Sequence, residues 1–335
     1  MGGFFGATFN GAAGNVGIPG GLSGLGGGFF GSHPPIPPPP SPGGFIAVGG
    51  GGAGPIIVTR DVSGVWTTQT AAAATFSATA TLRGVARANG VVVIASSGDE
   101  IGTSTDNAVT VTQQTVPAGT FNFNSAGGDA SIALCGGNGQ QYVYSTDAGV
   151  TWQLTNLAGG GSYISAQQGI GAGGGTFAGT GISSGADNKL SADGVTWVAA
   201  TSQNGGRAII HDGTQFVIAG RGTQIQTSPD GDVYASSVCA LDALSVAFNG
   251  TVYVVIEFFG NRLITAASIA GLAGATPQTV AAGNFTAITA DRTSGLFVAI
   301  DDAGFAYSSP DGLAWAQETT GAVAAAAALQ SITGP

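Results

Sequence analysis

The chain has 335 residues, 60 of them Gly, and carries 8 Lys+Arg against 18 Asp+Glu, a net charge of −10. A hydrophobic share of 43% is enough for a sizeable core and excludes wholesale disorder; glycine without a period of three excludes collagen, and scarce helix formers argue against bundles and coiled coils. Eight scattered cations cannot make the positive face that displaces counterions from nucleic acid, and no stretch of about 18 residues is apolar enough for a membrane helix.

Residues 1–43 differ from the rest: they hold 14 Gly, 8 Pro and no charged residue, the first charge being Arg60. The run from His33 to Pro42 predicts an extended polyproline II rod without internal hydrogen bonds. Phe4, Phe5, Phe9, Phe29 and Phe30 stand out from a glycine background, and Pro37 and Pro38 lie in the rod. Such a segment buries too little surface by itself to offset its backbone entropy. Paired Phe side chains on an extended strand suit pockets on another protein. These seven residues are the candidate partner contacts of a docking arm. No basic n-region followed by an apolar h-region marks a secretory signal.

From residue 44 onward short β-prone runs alternate with Gly, Asp, Asn and Pro turns. The first repeat has three strands: Phe45–Val48, Pro55–Thr59 and Val65–Thr68. Later repeats have four. The last predicts strands over 286–290, 296–300, 305–309 and 313–317. One strand is then left over, Ala328–Thr333, and it predicts that the C-terminus completes the first repeat and pairs its open edge.

The turn before each fourth strand sets the register. It centres on Asp61, Asp106, Asp147, Asp193, Asp230 and Asp311, with a degenerate copy near Ile264–Ser268. All four Trp of the chain, Trp66, Trp152, Trp197 and Trp315, follow these turns at the same place. The mean period is about 42 residues, and four short strands per 40–45 residues predict the blades of a β-propeller. The fold class is therefore all-β: a seven-bladed propeller over 44–335, preceded by the arm 1–43.

The segment Ser145-Thr-Asp147-Ala-Gly-Val-Thr-Trp152 resembles the Asp-box (BNR) repeat, Ser-x-Asp-x-Gly-x-Thr-Trp, of sialidase-like propellers. The other copies are one residue shorter or degenerate. The resemblance covers 44–335 as architecture, and it implies a structural job for the turns. Asp accepts turn N–H groups, Gly takes a positive φ and Trp packs between sheets.

Catalytic machinery is missing from the sequence. A sialidase needs an arginine cluster and a Phe/Tyr-Arg-Ile-Pro motif, and the chain has seven Arg and no such motif. Glu257 ends an apolar strand and is the one buried-carboxylate candidate. The pairs Asp99/Glu100 and Asp301/Asp302 fall in turns, where Asp is common for conformational reasons. His33 and His211 are far apart, and no His/Cys spacing suits zinc. Cys135 and Cys239 sit in apolar stretches and predict buried thiols. No catalytic residue, cofactor or metal ligand is assigned.

These features point to a non-enzymatic virion structural protein. The turns look like those of propellers in tailed-bacteriophage tail and fibre proteins. On this reading residues 1–43 dock into other tail or capsid subunits of a symmetric multi-copy assembly. The propeller, or loops around Gly169–Gly185, then faces another tail protein, a host receptor or a glycan. Two alternatives are a carbohydrate-binding or glycosidase propeller, with Trp or Arg exposed to sugar, and a bacterial surface or assembly-factor propeller, extracellular or at the cell surface.

Overall fold

The computed structural model describes residues 44–51, 54–118, 122–137, 141–156, 169–181, 188–202, 204–318 and 328–335. The chain divides into two units, Met1–Pro38 and Pro39–Pro335, and the account that follows concerns the second. The seven arm residues Phe4 to Pro38 lie outside the described residues.

The first blade holds β1 (Ile46–Gly51), β2 (Gly54–Arg60) and β3 (Trp66–Thr68), followed by a single helical turn, α1 (Thr70–Ala73). Blade two is β4 (Leu82–Ala88), β5 (Val91–Ser96), β6 (Ile101–Ser104) and β7 (Thr112–Gln114). Blade three is β8 (Phe123–Gly128), β9 (Ala133–Gly137), β10 (Gln141–Ser145) and β11 (Gln153–Asn156). Blade four is β12 (Ile170–Gly173), β13 (Thr176–Gly179), β14 (Lys189–Ser191) and β15 (Val198–Ala199). Blade five is β16 (Gly206–His211), β17 (Phe216–Gly220), β18 (Gln224–Ser228) and β19 (Ala235–Val238). Blade six is β20 (Ala243–Phe248), β21 (Tyr253–Glu257), β22 (Arg262–Ala266) and β23 (Gln278–Thr279). Blade seven is β24 (Phe285–Ala290), β25 (Phe297–Asp301), β26 (Ala306–Ser309) and β27 (Ala316–Glu318). The last strand, β28 (Leu329–Thr333), returns to the first blade.

Every sheet is four-stranded and antiparallel, and the first has the order β28-β1-β2-β3. The C-terminal strand thus closes the ring as the sequence predicts, pairing Ile46 with Thr333, Ala47 with Ile332 and Val48 with Ser331. Seven hydrophobic clusters fill the molecule, one at each interface between neighbouring blades. The cluster joining blades seven and one contains Leu329, Ile332, Val298 and Ile300. Second strands such as β5, β9, β17 and β25 are buried along their whole length. They read as continuous apolar runs because a neighbouring blade covers each face. Outer strands such as β15 are exposed and short.

Two expectations need correction. The predicted strand 313–317 begins only at Ala316, because the turn around Asp311 runs on through Trp315, whose indole donates to Gly312 O at 2.9 Å. The sixth copy is degenerate, as the sequence predicts: a 3-10 turn, Ala270–Ala273, stands where the other blades have the acidic turn. The stretch expected as presenting loops from Gly169 is largely strand, β12 and β13, and residues 182–187 lie outside the described residues. The turn α1 arises where Thr70 precedes four consecutive Ala, the best helix former.

Candidate functional site

Counted outward from the inner strand of each sheet, which in blade one is β28, alternation of strand direction puts the ends of the first and third strands of every blade on one face of the ring. The acidic turns lie there. Their geometry repeats. In blade three the Ser145 hydroxyl donates to Asp147 Oδ1 at 2.8 Å and accepts the Gly149 N–H at 2.9 Å. Asp147 also accepts the Thr151 N–H and hydroxyl, and Trp152 Nε1 donates to Gly149 O. The same Ser–Asp contacts form at Asp106, Asp193, Asp230 and Asp311. In blade one Asp61 accepts the Ser63 and Val65 N–H groups, while Trp66 Nε1 donates to Glu318 Oε2 at 2.7 Å. Glu318 also takes the Arg60 guanidinium in a bidentate pair across the closure from blade seven to blade one.

The turn glycine has two reasons to be glycine. Gly149, Gly194, Gly231 and Gly312 have φ between 72° and 84°. Three of them also press on the preceding blade: a Cβ on Gly149 would lie 2.6 Å from Thr103 Cγ2, one on Gly194 3.0 Å from Ile132 Cδ1, and one on Gly312 2.8 Å from Val254 Cγ2. The aromatic residue that follows faces the same way. Trp197 stacks on Tyr142 of blade three, with ring centroids 5.0 Å apart and planes 2° apart. Trp66, Trp152 and Trp197 are buried, and Tyr234 takes the equivalent place in blade five. The residue before the glycine in blade three, Ala148, is exposed and held at φ 57°. Ala148→Gly is expected to raise stability by about 0.5–1 kcal/mol by removing left-handed strain, read as a higher urea midpoint at unchanged slope.

A second set of carboxylates on this face was not assigned from the sequence. Asp129, Asp212 and Asp291 follow first strands and accept N–H groups of their own turns. Asp212 also accepts the Tyr253 hydroxyl at 2.5 Å. The signal available was an Asp followed within three residues by Ser, Thr or Gly after an apolar run. Hydrogen bonds from Thr151 hold Asp147 at about 2, and the Thr196 N–H does the same for Asp193. Burial pushes Asp212 upward, but bonds from Tyr253 and Thr214 outweigh it and leave it at about 2.

A depressed folded pKa means stability that is present above the unfolded value near 3.9 and lost as pH falls through about 2. The urea midpoint is therefore expected to stay level from pH 7 to 5 and to drop between pH 4 and 2. Solvent screening keeps the contributions of exposed Asp147 and Asp193 small. A midpoint unchanged down to pH 2 would contradict the assignment.

Arg87 was also missed. From the end of β4 its Nε donates to Gly334 O, Nη2 to Gly44 O and Nη1 to Asn107 Oδ1. One guanidinium thus ties both ends of the closed ring to blade two, and burial lowers its pKa. Val85, Ala126, Ile170, Ile209 and Ile332, together with Thr289 and Thr333, line a cavity of about 230 Å³ of mixed polarity, in whose lining Arg87 is the charged residue. A second cavity of about 340 Å³ lies on the acidic-turn face, between Asn89, Ser104, Asn107 and Asp129.

Of the carboxylates considered for catalysis all but one accept hydrogen bonds or ion pairs within the fold; the exception is Asp99, whose Oδ1 is buried without a partner among the described residues. Glu257 is only partly buried and pairs with Arg262. The fully buried carboxylate is Asp301, a correction to the sequence reading. It sits at the end of β25 and accepts Tyr307 OH and the N–H groups of Gly283, Ala303 and Phe305. Asp302 accepts from Asn284, and Glu100 accepts from Ser77 and Gln113. Cys135 and Cys239 are buried free thiols. Among the described residues no group of three or more His, Cys, Asp or Glu converges as metal ligands, and no helix is long and apolar enough to cross a membrane.

No protein-family model and no curated protein matches the sequence. Solved propellers do match the fold. YCF48 from Cyanidioschyzon merolae is 14% identical, with a TM-score of 0.53 over 73% of this chain and 87% of its own. YCF48 bound to D1 peptide gives 14% identity and a TM-score of 0.55 over 78% and 89%. Virginiamycin B lyase from Staphylococcus aureus gives 13% identity and a TM-score of 0.56 over 80% and 92%. At these identities the likeness is one of fold: the chain is a seven-bladed β-propeller closed by its C-terminal strand.

Proposed function

We propose that the protein is a non-enzymatic structural component of a tailed-bacteriophage virion, a tail or fibre subunit that docks through residues 1–43 and presents its propeller to another protein. The observation that carries this reading is the uncharged arm. Its five Phe and its proline run are joined at Gly44 to a body whose own sheet edge is already paired by β28. The body therefore needs no strand from the arm to pair that edge, and on this reading the arm's apolar groups serve a neighbour. Low charge suits a subunit covered in a stable assembly, and the resemblance of Ser145–Trp152 to the Asp-box turn fits a scaffold of this kind. Propellers of the same architecture are described as bound to a peptide, or within the Mitotic Checkpoint Complex, which supports protein binding as the class of activity. The turn tryptophans are weak candidates for stacking on sugar, since three are buried and their Nε1 groups are bonded internally.

The test is incorporation. Mass spectrometry of purified particles should find the protein at a fixed copy number. Deletion of residues 2–43 should abolish incorporation while the circular dichroism and urea midpoint of the body stay unchanged. Absence from particles, or full incorporation without the arm, would overturn the reading.

A further inference from the structure

The acidic-turn face carries a repeated apolar feature. Ten large hydrophobic side chains are exposed among the described residues, and six of them sit in the acidic turns: Val62, Val65, Val109, Val150, Val233 and Leu313. They are far from marginal, with Val62 85% and Val150 68% exposed. Blades one, two, three, five and seven thus each lift an aliphatic side chain into solvent; blade six, which has lost the acidic turn, contributes none of the six, and neither does blade four, whose Val195 is partly buried against its cluster. Nothing in the turn requires this. The fixed positions are the Ser, Asp and Gly that bond to one another, and a Ser or Thr at the exposed place would leave these hydrogen bonds intact. Isolated exposed aliphatics are ordinary, but the same exposure recurring around one rim marks an interaction surface.

Charge says what kind of partner fits. Each aliphatic lies within four residues of an Asp, and hydrogen bonds to the turn keep that Asp ionised at neutral pH. The arginines of this face are engaged: Arg60 with Glu318, Arg87 with Gly44, Gly334 and Asn107, and Arg292 with His211 O. The face is negative with apolar points between the charges. It repels phosphate, in nucleic acid or at an anionic membrane, and complements a protein surface on which Lys or Arg flank aliphatic residues. We infer that this face is a docking surface for a basic, aliphatic-bearing protein partner. The inference does not depend on which assembly the protein belongs to, and its test uses the isolated full chain.

The probe is a synthetic peptide of alternating Lys and Leu, with oligolysine of equal charge as its partner. The Lys-Leu peptide should bind at least tenfold more tightly than oligolysine at 0.15 M salt. A variant with Val62, Val109, Val150, Val233 and Leu313 all changed to Ser keeps every Asp and should lose that tenfold difference with an unchanged urea midpoint. Hydrogen exchange should slow at residues 61–65, 106–110 and 147–151 on binding. Equal binding of both peptides, equal binding by the variant, protection confined to other segments, or tighter binding of duplex DNA or anionic phosphatidylserine vesicles would overturn the inference.

Discussion

Deleting residues 328–335 is expected to abolish cooperative folding, the largest effect of any short truncation of the propeller. The strand β28 is the innermost of its blade and pairs along β1 from Ile46 to Gly49. Its Leu329 and Ile332 are buried in the cluster shared by blades seven and one. Its Ser331 hydroxyl accepts the Val85 N–H at 3.3 Å, reaching blade two as well. Truncating a buried Leu or Ile to Ala alone costs about 2–5 kcal/mol. Losing two such side chains, the strand pairing and the Arg87 contact to Gly334 is comparable with the roughly 5–15 kcal/mol by which a domain is stable. The truncated chain should show no sigmoidal urea transition and should aggregate through the exposed edge of β1. A peptide spanning 328–335 added in excess should restore part of the transition. A truncated protein with the wild-type midpoint would mean that the ring is not held by its tail.

The second large effect concerns the acidic-turn glycines. Gly149→Ala is expected to cost about 2–4 kcal/mol, and Gly90→Ala about 1 kcal/mol. The two positions have nearly the same backbone, φ 78° and 76°. They differ in surroundings: a Cβ at residue 149 meets Thr103 Cγ2 at 2.6 Å, and one at residue 90 meets nothing within 4 Å. The difference between the two variants therefore isolates the packing of one blade on the next from the strain of a left-handed residue. Urea midpoints at constant slope measure both. Equal losses would mean that the turn glycine is kept for conformation alone and that neighbouring blades do not meet there.

The fold was legible because it is written several times. Each blade repeats the same punctuation, so a weak signal at Asp230 or Asp61 gains weight from a full one at Ser145–Trp152. Closure was legible because the count of strands came out one short in the first blade and one over at the C-terminus. The limits of individual strands were less clear, as at 313–317, where side-chain bonds within the turn decide how far the turn extends. Contacts between distant residues were illegible. Nothing near Arg87 in the sequence announces that it bonds to Gly44 and Gly334. Asp301 looked like a turn residue, yet the phenol of Tyr307 and three N–H groups let its carboxylate stay buried. The exposed valines were equally silent, since a Val between Gly and Trp reads as core in a β-prone run, and only the turn geometry turns it outward.

Ring closure is the claim on which the account of the propeller rests, and amide hydrogen exchange of the unmodified protein reads it most directly. The amides of Leu329–Thr333 should exchange as slowly as those of Ile46–Val48, in the class that opens only by global unfolding. Exchange of the C-terminal strand within seconds, while β5 and β25 stay protected, would show a ring that stands open at that seam.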